Sequence, residues 1–170
     1  STVSSTPTSE GSRVPPPASV SVDRVLEVID GDTFSVTIDG AAERVRLIGI
    51  DAPESGECMS AEATAALGAL IRGGVQLVRD VNDRDQYGRL LRYVEAGEVF
   101  VNEELVRRGL ALAREYPPDT ARQTRLADAQ AAAKDAERGI WNPTACGPAT
   151  AAEAPIKPTD VQVTREKSWP

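Results

Sequence analysis

The 170-residue chain contains no histidine. Histidine is the side chain whose ordinary titration range suits it to general base work near neutral pH. With none present, a carboxylate is the natural candidate for that role. Cysteine is scarce. Cys58 and Cys146 lie far apart and form no C-x-x-C redox or zinc pair. They are either two buried free thiols or the ends of a bridge. Position favours the bridge, because Cys58 follows the loop after Glu54 and Cys146 lies in a Pro/Gly-rich segment that needs anchoring. Closing so long a loop adds about 4 to 5 kcal/mol in the chain-entropy model and implies an oxidising compartment. No apolar run is long enough to span a bilayer, so no membrane partner is expected. The Ser/Thr/Pro-rich stretch that begins at Ser1 does not read as a secretory leader, and none is expected there. Either the protein is cytosolic or the chain is a mature, trimmed form; the second is the expectation, with a secreted or cell-envelope exterior location.

An excess of positive charge is also missing. The formal net charge is −7. Glu10 and Arg13 cancel within residues 1–22, and Glu153, Asp160 and Glu166 cancel Lys157, Arg165 and Lys167 within residues 142–170. The whole −7 therefore sits on residues 23–141. That balance argues against a broad electrostatic footprint for nucleic acid. It leaves room for a local arginine pocket working with a bound cation.

What is present is a constellation spread over three segments: Ile29-Asp30-Gly31-Asp32-Thr33, Val45-Arg46-Leu47-Ile48-Gly49-Ile50-Asp51-Ala52-Pro53-Glu54, and Asp85-Gln86-Tyr87-Gly88-Arg89. Each piece alone has an ordinary reading. Asp30-Gly31-Asp32 is a hairpin turn, Arg46 is a strand residue facing either solvent or a site, Glu54 is a loop acid and Arg89 a turn arginine. Together they supply what phosphodiester cleavage needs. Carboxylates hold a hard divalent cation, a glutamate activates or orients water, and planar arginine forks take two phosphate oxygens each.

The order of elements points the same way. Residues 1–22, with Pro15-Pro16-Pro17, read as a linker or disordered arm. Residues 144–170 read as a second tail, pinned at Cys146 if the bridge forms, and Trp169 has no assignable role there. In between, β-branched runs at Val25–Ile29, Phe34–Ile38 and Arg44–Ile50 are broken by Asp30-Gly31-Asp32 and Asp39-Gly40. A helix follows, with Ser60 as N-cap and Gly73 as stop. Strands over Val75–Val78 and Leu90–Val94 come next, then a short helix capped by Asn102 and ending at Gly109, then a longer helix from about Ala121 to Arg138. A cis bond between Pro117 and Pro118 is possible. The β-β-β-α-β-β-α-α order predicts an α+β domain over residues 23–143, a five-stranded OB-fold Greek-key β-barrel with three helices.

The three segments, continued by Val101–Ala111 and by Gly139-Ile140-Trp141, resemble the staphylococcal nuclease (thermonuclease) family over roughly residues 23 to 141. The resemblance implies the OB-fold and a calcium-dependent, sugar-nonspecific nuclease that hydrolyses DNA and RNA to leave 3′-phosphate ends. It implies a calcium ion held by Asp32, Asp51 and the backbone carbonyl of Ala52, where familiar members have threonine. A carbonyl ligand does not depend on the side chain. It gives Arg46 and Arg89 the scissile phosphate, Glu54 the attacking water, and Tyr87 and Tyr116 the terminal phosphate and base. Aromatic stacking tolerates any base, and single-stranded substrates are favoured. A monomer is expected. The chain departs from the pattern at Gln86, where a lysine is typical, and at Arg114 or Ala113, near the place of a second tyrosine. The competing expectation is a non-catalytic nuclease-like module that binds nucleic acid or protein. A third is a calcium-stabilised secreted binding domain whose acids serve only structure.

Overall fold

Alternating apolar residues build a sheet first. In a computed structural model, residues 19–146 are described. Strand β1 (Ser19–Ser21) and strand β2 (Arg24–Val28) lead into β3 (Thr33–Ile38) and β4 (Ala41–Leu47). Phe34, Val36, Val45 and Leu47 point to one side and are buried. The β3–β4 turn is Asp39-Gly40, with φ of 48° and 80°, the double positive-φ geometry that matches strand twist. Its register pairs Thr33 with Arg46. That pairing sets Arg46 beside the turn before β3.

After β5 (Ile50–Asp51) and helix α1 (Ser60–Ile71) come β6 (Gln76–Val78) and β7 (Leu90–Ala96). Strand β7 changes partner midway. Leu90–Arg92 run parallel to β4, and Tyr93–Glu95 run antiparallel to β6. Then follow β8 (Val99–Phe100), α2 (Val101–Arg107), β9 (Leu112–Ala113), α3 (Gln123–Asp135) and a 3₁₀ turn at Gly139–Trp141. The main sheet runs β1-β6-β7-β4-β3-β2 with β8 added to β7, and β5 pairs separately with β9.

The five-stranded Greek-key barrel expected from the sequence is met only in part. The three helices are present, but the sheet is mixed, has more and shorter strands, and does not close. β1 and β2 are separated by two residues yet stand at opposite ends of the strand order. The sheet curls until its edges are joined by chain, without a hydrogen-bonded ladder across the gap. Ser19–Ser21 pair with β6, so part of the expected arm is strand. Residues 1–18 and 147–170, with Trp169, lie outside the described residues.

The core lies between the concave sheet and the helices. Ala63, Leu67 and Ile71 of α1 bury one face at helical spacing, and Leu126, Ala129 and Ala133 do the same for α3. Three details differ from expectation. Ser60 is the first residue of α1 rather than its cap; Met59 precedes it at φ 67° with no side-chain cap. Asn102 does not cap α2, which starts one residue earlier. It is fully buried, donating from Nδ2 to the Ile48 carbonyl at 2.8 Å and accepting at Oδ1 from the Val94 N–H at 2.9 Å. Two backbone polar groups, one just past β4 and one within β7, thereby escape an unpaired burial. The long helix is Gln123–Asp135, shorter at both ends than the pattern suggested.

Candidate active site

The turn between β2 and β3 is fixed by packing. A Cβ on Gly31 would lie 2.6 Å from the Ala63 Cβ and 2.8 Å from the Ala52 Cβ. Only glycine lets the turn approach α1 and the segment after β5 this closely. The Asp32 N–H donates to Asp30 Oδ1 at 3.0 Å, and the Ile29 N–H closes the turn on the Thr33 carbonyl at 2.9 Å. Asp32 is thereby buried. Its Oδ2 accepts the Ala52 N–H at 2.8 Å, and its Oδ1 accepts the Thr33 hydroxyl at 3.1 Å.

Arg46 meets Asp32 and Asp51 together. Its Nη2 stands 3.3 Å from Asp32 Oδ2 and 3.7 Å from Asp51 Oδ1. Its Nη1 donates to the Leu47 carbonyl at 2.6 Å and the Ile50 carbonyl at 3.0 Å. Burial pushes the Asp32 carboxyl up to about 6; the Arg46 charge and the Ala52 N–H oppose the rise, and Asp30 adds to it. Asp51 also faces Arg114, whose Nη2 lies 3.4 Å from Oδ2.

Arg89 arrives from the loop before β7. Asp85 takes its Nε–H at 2.7 Å and its backbone N–H at 3.0 Å. Burial draws the Asp85 carboxyl upward, but the Arg89 side chain, the N–H groups of Arg89 and Tyr87 and the Arg89 charge outweigh it, holding Asp85 below the usual range. The guanidinium carbon sits 5.4 Å from the Tyr87 ring centre.

Arg46, Arg89, Tyr87 and Tyr116 line one open cavity of about 450 Å³, along with Arg84, Gln86 and Asp119. Tyr87 is 73% exposed, a platform on the rim. Burial, and after it the Asp51 charge, raises the Tyr116 hydroxyl above its ordinary range. Asp32 and Asp51 reach this cavity through Arg46. Glu54 is not among the lining residues. It is exposed, in a loop where its N–H donates to Glu57 Oε2 at 2.7 Å and its carbonyl accepts the Glu57 N–H at 2.9 Å. Cys58 and Cys146 are bridged, Cα to Cα 5.6 Å, which ties that loop to the segment after α3. Pro117-Pro118 is cis.

Among the described residues no three carboxylates or thiolates gather into a metal cluster. The donors that do meet are two carboxylates, with the Ala52 backbone held against one of them. An arginine nitrogen placed between Asp32 and Asp51 marks a point where both acids favour positive charge. An all-oxygen set of this kind fits a hard cation that takes further ligands from water.

Two positioning groups had no role in the sequence reading. Asp85 lies inside the D-x-Y-G-R segment, and its spacing of four from Arg89 was the available signal. Asp119 accepts the Val81 and Asn82 N–H groups at 3.0 and 2.8 Å and the Asn82 amide at 2.7 Å. It ties the chain leading to Arg89 to the Tyr116 loop across 37 residues, a separation with no local sequence signature.

Comparison with known proteins gives the family. The family model described as staphylococcal nuclease homologue matches residues 44–143, more than half of the chain. A thermonuclease of Staphylococcus hyicus is 36% identical over 126 residues, covering 70% of this chain and 75% of that protein. A thermonuclease of Staphylococcus intermedius is 37% identical over 124 residues, 69% and 74% of the two chains. A protein of Escherichia coli O157:H7 described as an uncharacterized endonuclease is 36% identical over 121 residues, 70% and 76% of the two. The chain belongs to the staphylococcal nuclease family.

Proposed function

We propose that this protein is a calcium-dependent, sugar-nonspecific nuclease that hydrolyses phosphodiester bonds of DNA and RNA and leaves 3′-phosphate ends. The observation that carries the reading is Arg46: its guanidinium lies between Asp32 and Asp51 and faces the same cavity as Arg89 and two tyrosines. A phosphate in that cavity meets two arginine forks, which neutralise the charge that builds on its oxygens. Asp32, Asp51 and the Ala52 carbonyl would hold calcium, which supplies further positive charge beside the phosphate when bound. Glu54 orients the attacking water, or takes its proton, from its loop at the edge of the site. The water oxygen bonds to phosphorus as the P–O5′ bond breaks, and the 5′ oxygen leaves as a hydroxyl, taking its proton from solvent. Tyr87 and Tyr116 stack the neighbouring base without reading it, so single-stranded or frayed substrates are preferred. The Cys58–Cys146 bridge supports work in an oxidising compartment, secreted or on the exterior of the cell envelope. A monomer is the working assembly.

A second reading is favoured by one observation. Glu54 is exposed and does not line the cavity, as a non-catalytic module binding nucleic acid or protein would allow. The test is cleavage of denatured DNA with calcium, beside a chelator control and Glu54→Ala. Calcium-dependent cutting that the variant loses supports the enzyme. Calcium-induced stabilisation without any cutting moves the protein to the binding module.

A further inference from the structure

Arg114 stands at the site with no part in the chemistry above. Its N–H donates to the Gly49 carbonyl at 2.8 Å, and the β5–β9 pairing of Ile50 with Ala113 and Asp51 with Leu112 fixes its backbone beside Asp51. Asp51 is thus flanked by two guanidinium groups, Arg46 at 3.7 Å on Oδ1 and Arg114 at 3.4 Å on Oδ2. The two arginines are held very differently. Arg46 has a side chain 14% exposed and is anchored by two carbonyls. The Arg114 side chain is 54% exposed and has no side-chain hydrogen bond among the described residues. An exposed ion pair of this kind contributes little and is readily exchanged for another partner.

The surroundings make a second partner useful. The domain surface is acidic, and Gln86 lines the cavity without a charge. The half-exposed Arg114 guanidinium, paired with Asp51, lies outside the cavity lining but close enough for its charge to act on Tyr116 of that lining, so it is a cationic group placed to meet substrate beyond the scissile phosphate. Its planar fork matches two phosphate oxygens.

We propose that Arg114 is a phosphate-binding residue that covers Asp51 while no divalent cation is bound there, and engages the substrate phosphate next to the scissile one when a cation takes Asp51. The inference rests on the reading of Asp51 as a calcium ligand. Cation and arginine compete for one carboxylate, so filling the metal site frees the charge that lengthens the substrate contact. Arg46 stays in place throughout because its other nitrogen is tied to the Leu47 and Ile50 carbonyls.

The experiment uses the full chain as wild type, Arg114→Ala and Arg114→Lys. Calcium alone is titrated by calorimetry, and KM and kcat are measured separately on thymidine oligonucleotides of two and six residues. The dinucleotide has only the scissile phosphodiester, so it lacks the neighbouring phosphate. Arg114→Ala is expected to bind calcium about two- to fivefold more tightly, because a competing charge is gone. It is expected to raise KM on the hexamer about tenfold, far more than on the dimer, with Arg114→Lys recovering part of the loss. A calcium affinity that does not tighten, or a KM that does not rise more on the hexamer, overturns the proposal while leaving a wild type that binds and cuts. A wild type that shows neither calcium heat nor cleavage overturns both this proposal and the proposed function.

Discussion

Asp85 grips Arg89 by Nε at 2.7 Å and holds its guanidinium carbon 5.4 Å from the Tyr87 ring centre, in the cavity that Arg46 also lines. A guanidinium on a flexible stem loses rotamer freedom when it binds phosphate; one already clamped has lost most of it beforehand. Asp85→Asn keeps the shape but removes the charge that fixes Arg89. Turnover is expected to fall about ten- to a hundredfold, the scale of a misplaced catalytic group, with the melting temperature nearly unchanged. Steady-state kinetics beside a thermal melt check this. A variant with full kcat would show that Asp85 serves only the turn.

Arg89→Lys tests the fork itself. An ammonium can replace the charge but cannot make two parallel hydrogen bonds to one phosphate. The variant is expected to lose two or more orders of magnitude in kcat/KM. Near-normal turnover would place Arg89 outside the site.

Gly31→Ala is expected to be among the most damaging small changes in the chain. The added methyl would meet Ala63 and Ala52 at 2.6 and 2.8 Å, and neither neighbour can shrink. Overpacking of this type costs about 1–3 kcal/mol, readable in a denaturant midpoint. Because the displaced turn carries Asp32, calcium affinity should weaken along with stability. A stable variant with full calcium affinity would show that the turn is free to move.

The candidate residues are legible in the sequence, but the contacts that hold them in place are not. Asp32, Arg46 and Asp51 were visible because each is an unnecessary charge in a turn or strand, and the β3–β4 register then puts two of them side by side. The Asp39-Gly40 turn was readable because its dihedral demand is local. The barrel was over-idealised: runs such as Val75–Val78 look like full strands, whereas β6 pairs over only three residues. Asn102 was misread as a cap because capping is a local rule, while its two partners lie 8 and 54 residues away. Asp119 failed to register for the same reason.

The raised Asp32 carboxyl gives a pH dependence of known sign. Its folded value is about 6 against 3.8 ordinarily, so between those values the folded state holds the proton more tightly than the unfolded state. Without calcium, this group's contribution to stability therefore declines as pH rises from about 4 to 6 and is level above that. Calcium needs the ionised acid, so its apparent affinity should weaken by up to about tenfold per pH unit below 6. Calorimetric calcium titrations at pH 5, 6 and 7 check the second statement. The first is checked by metal-free melts, in which Asp32→Asn should remove the slope. Affinity that is flat from pH 5 to 7 would mean that Asp32 takes no part in holding the ion.

Glu54 separates turnover from folding more cleanly than any other site residue. Glu54 is exposed, and the loop around it is held by two bonds to its backbone, one from the Glu57 N–H and one to the Glu57 carboxylate, and by the bridge from Cys58 to Cys146. None of these uses the Glu54 carboxylate. Glu54→Ala should therefore leave the thermal midpoint within about a degree or two, the effect of an ordinary surface substitution. It should lower turnover by about two orders of magnitude or more, the contribution of a positioned base. Replacing both cysteines by serine tests the same loop from the other side. Stability should drop, by up to about 4 to 5 kcal/mol if the chain-entropy model holds, and kcat should fall at temperatures where the variant remains folded, because the loop is no longer tethered. If kcat instead survives the loss of the bridge while Glu54→Ala abolishes it, the loop holds its place by the Glu57 bonds alone, and the disulfide acts on stability only.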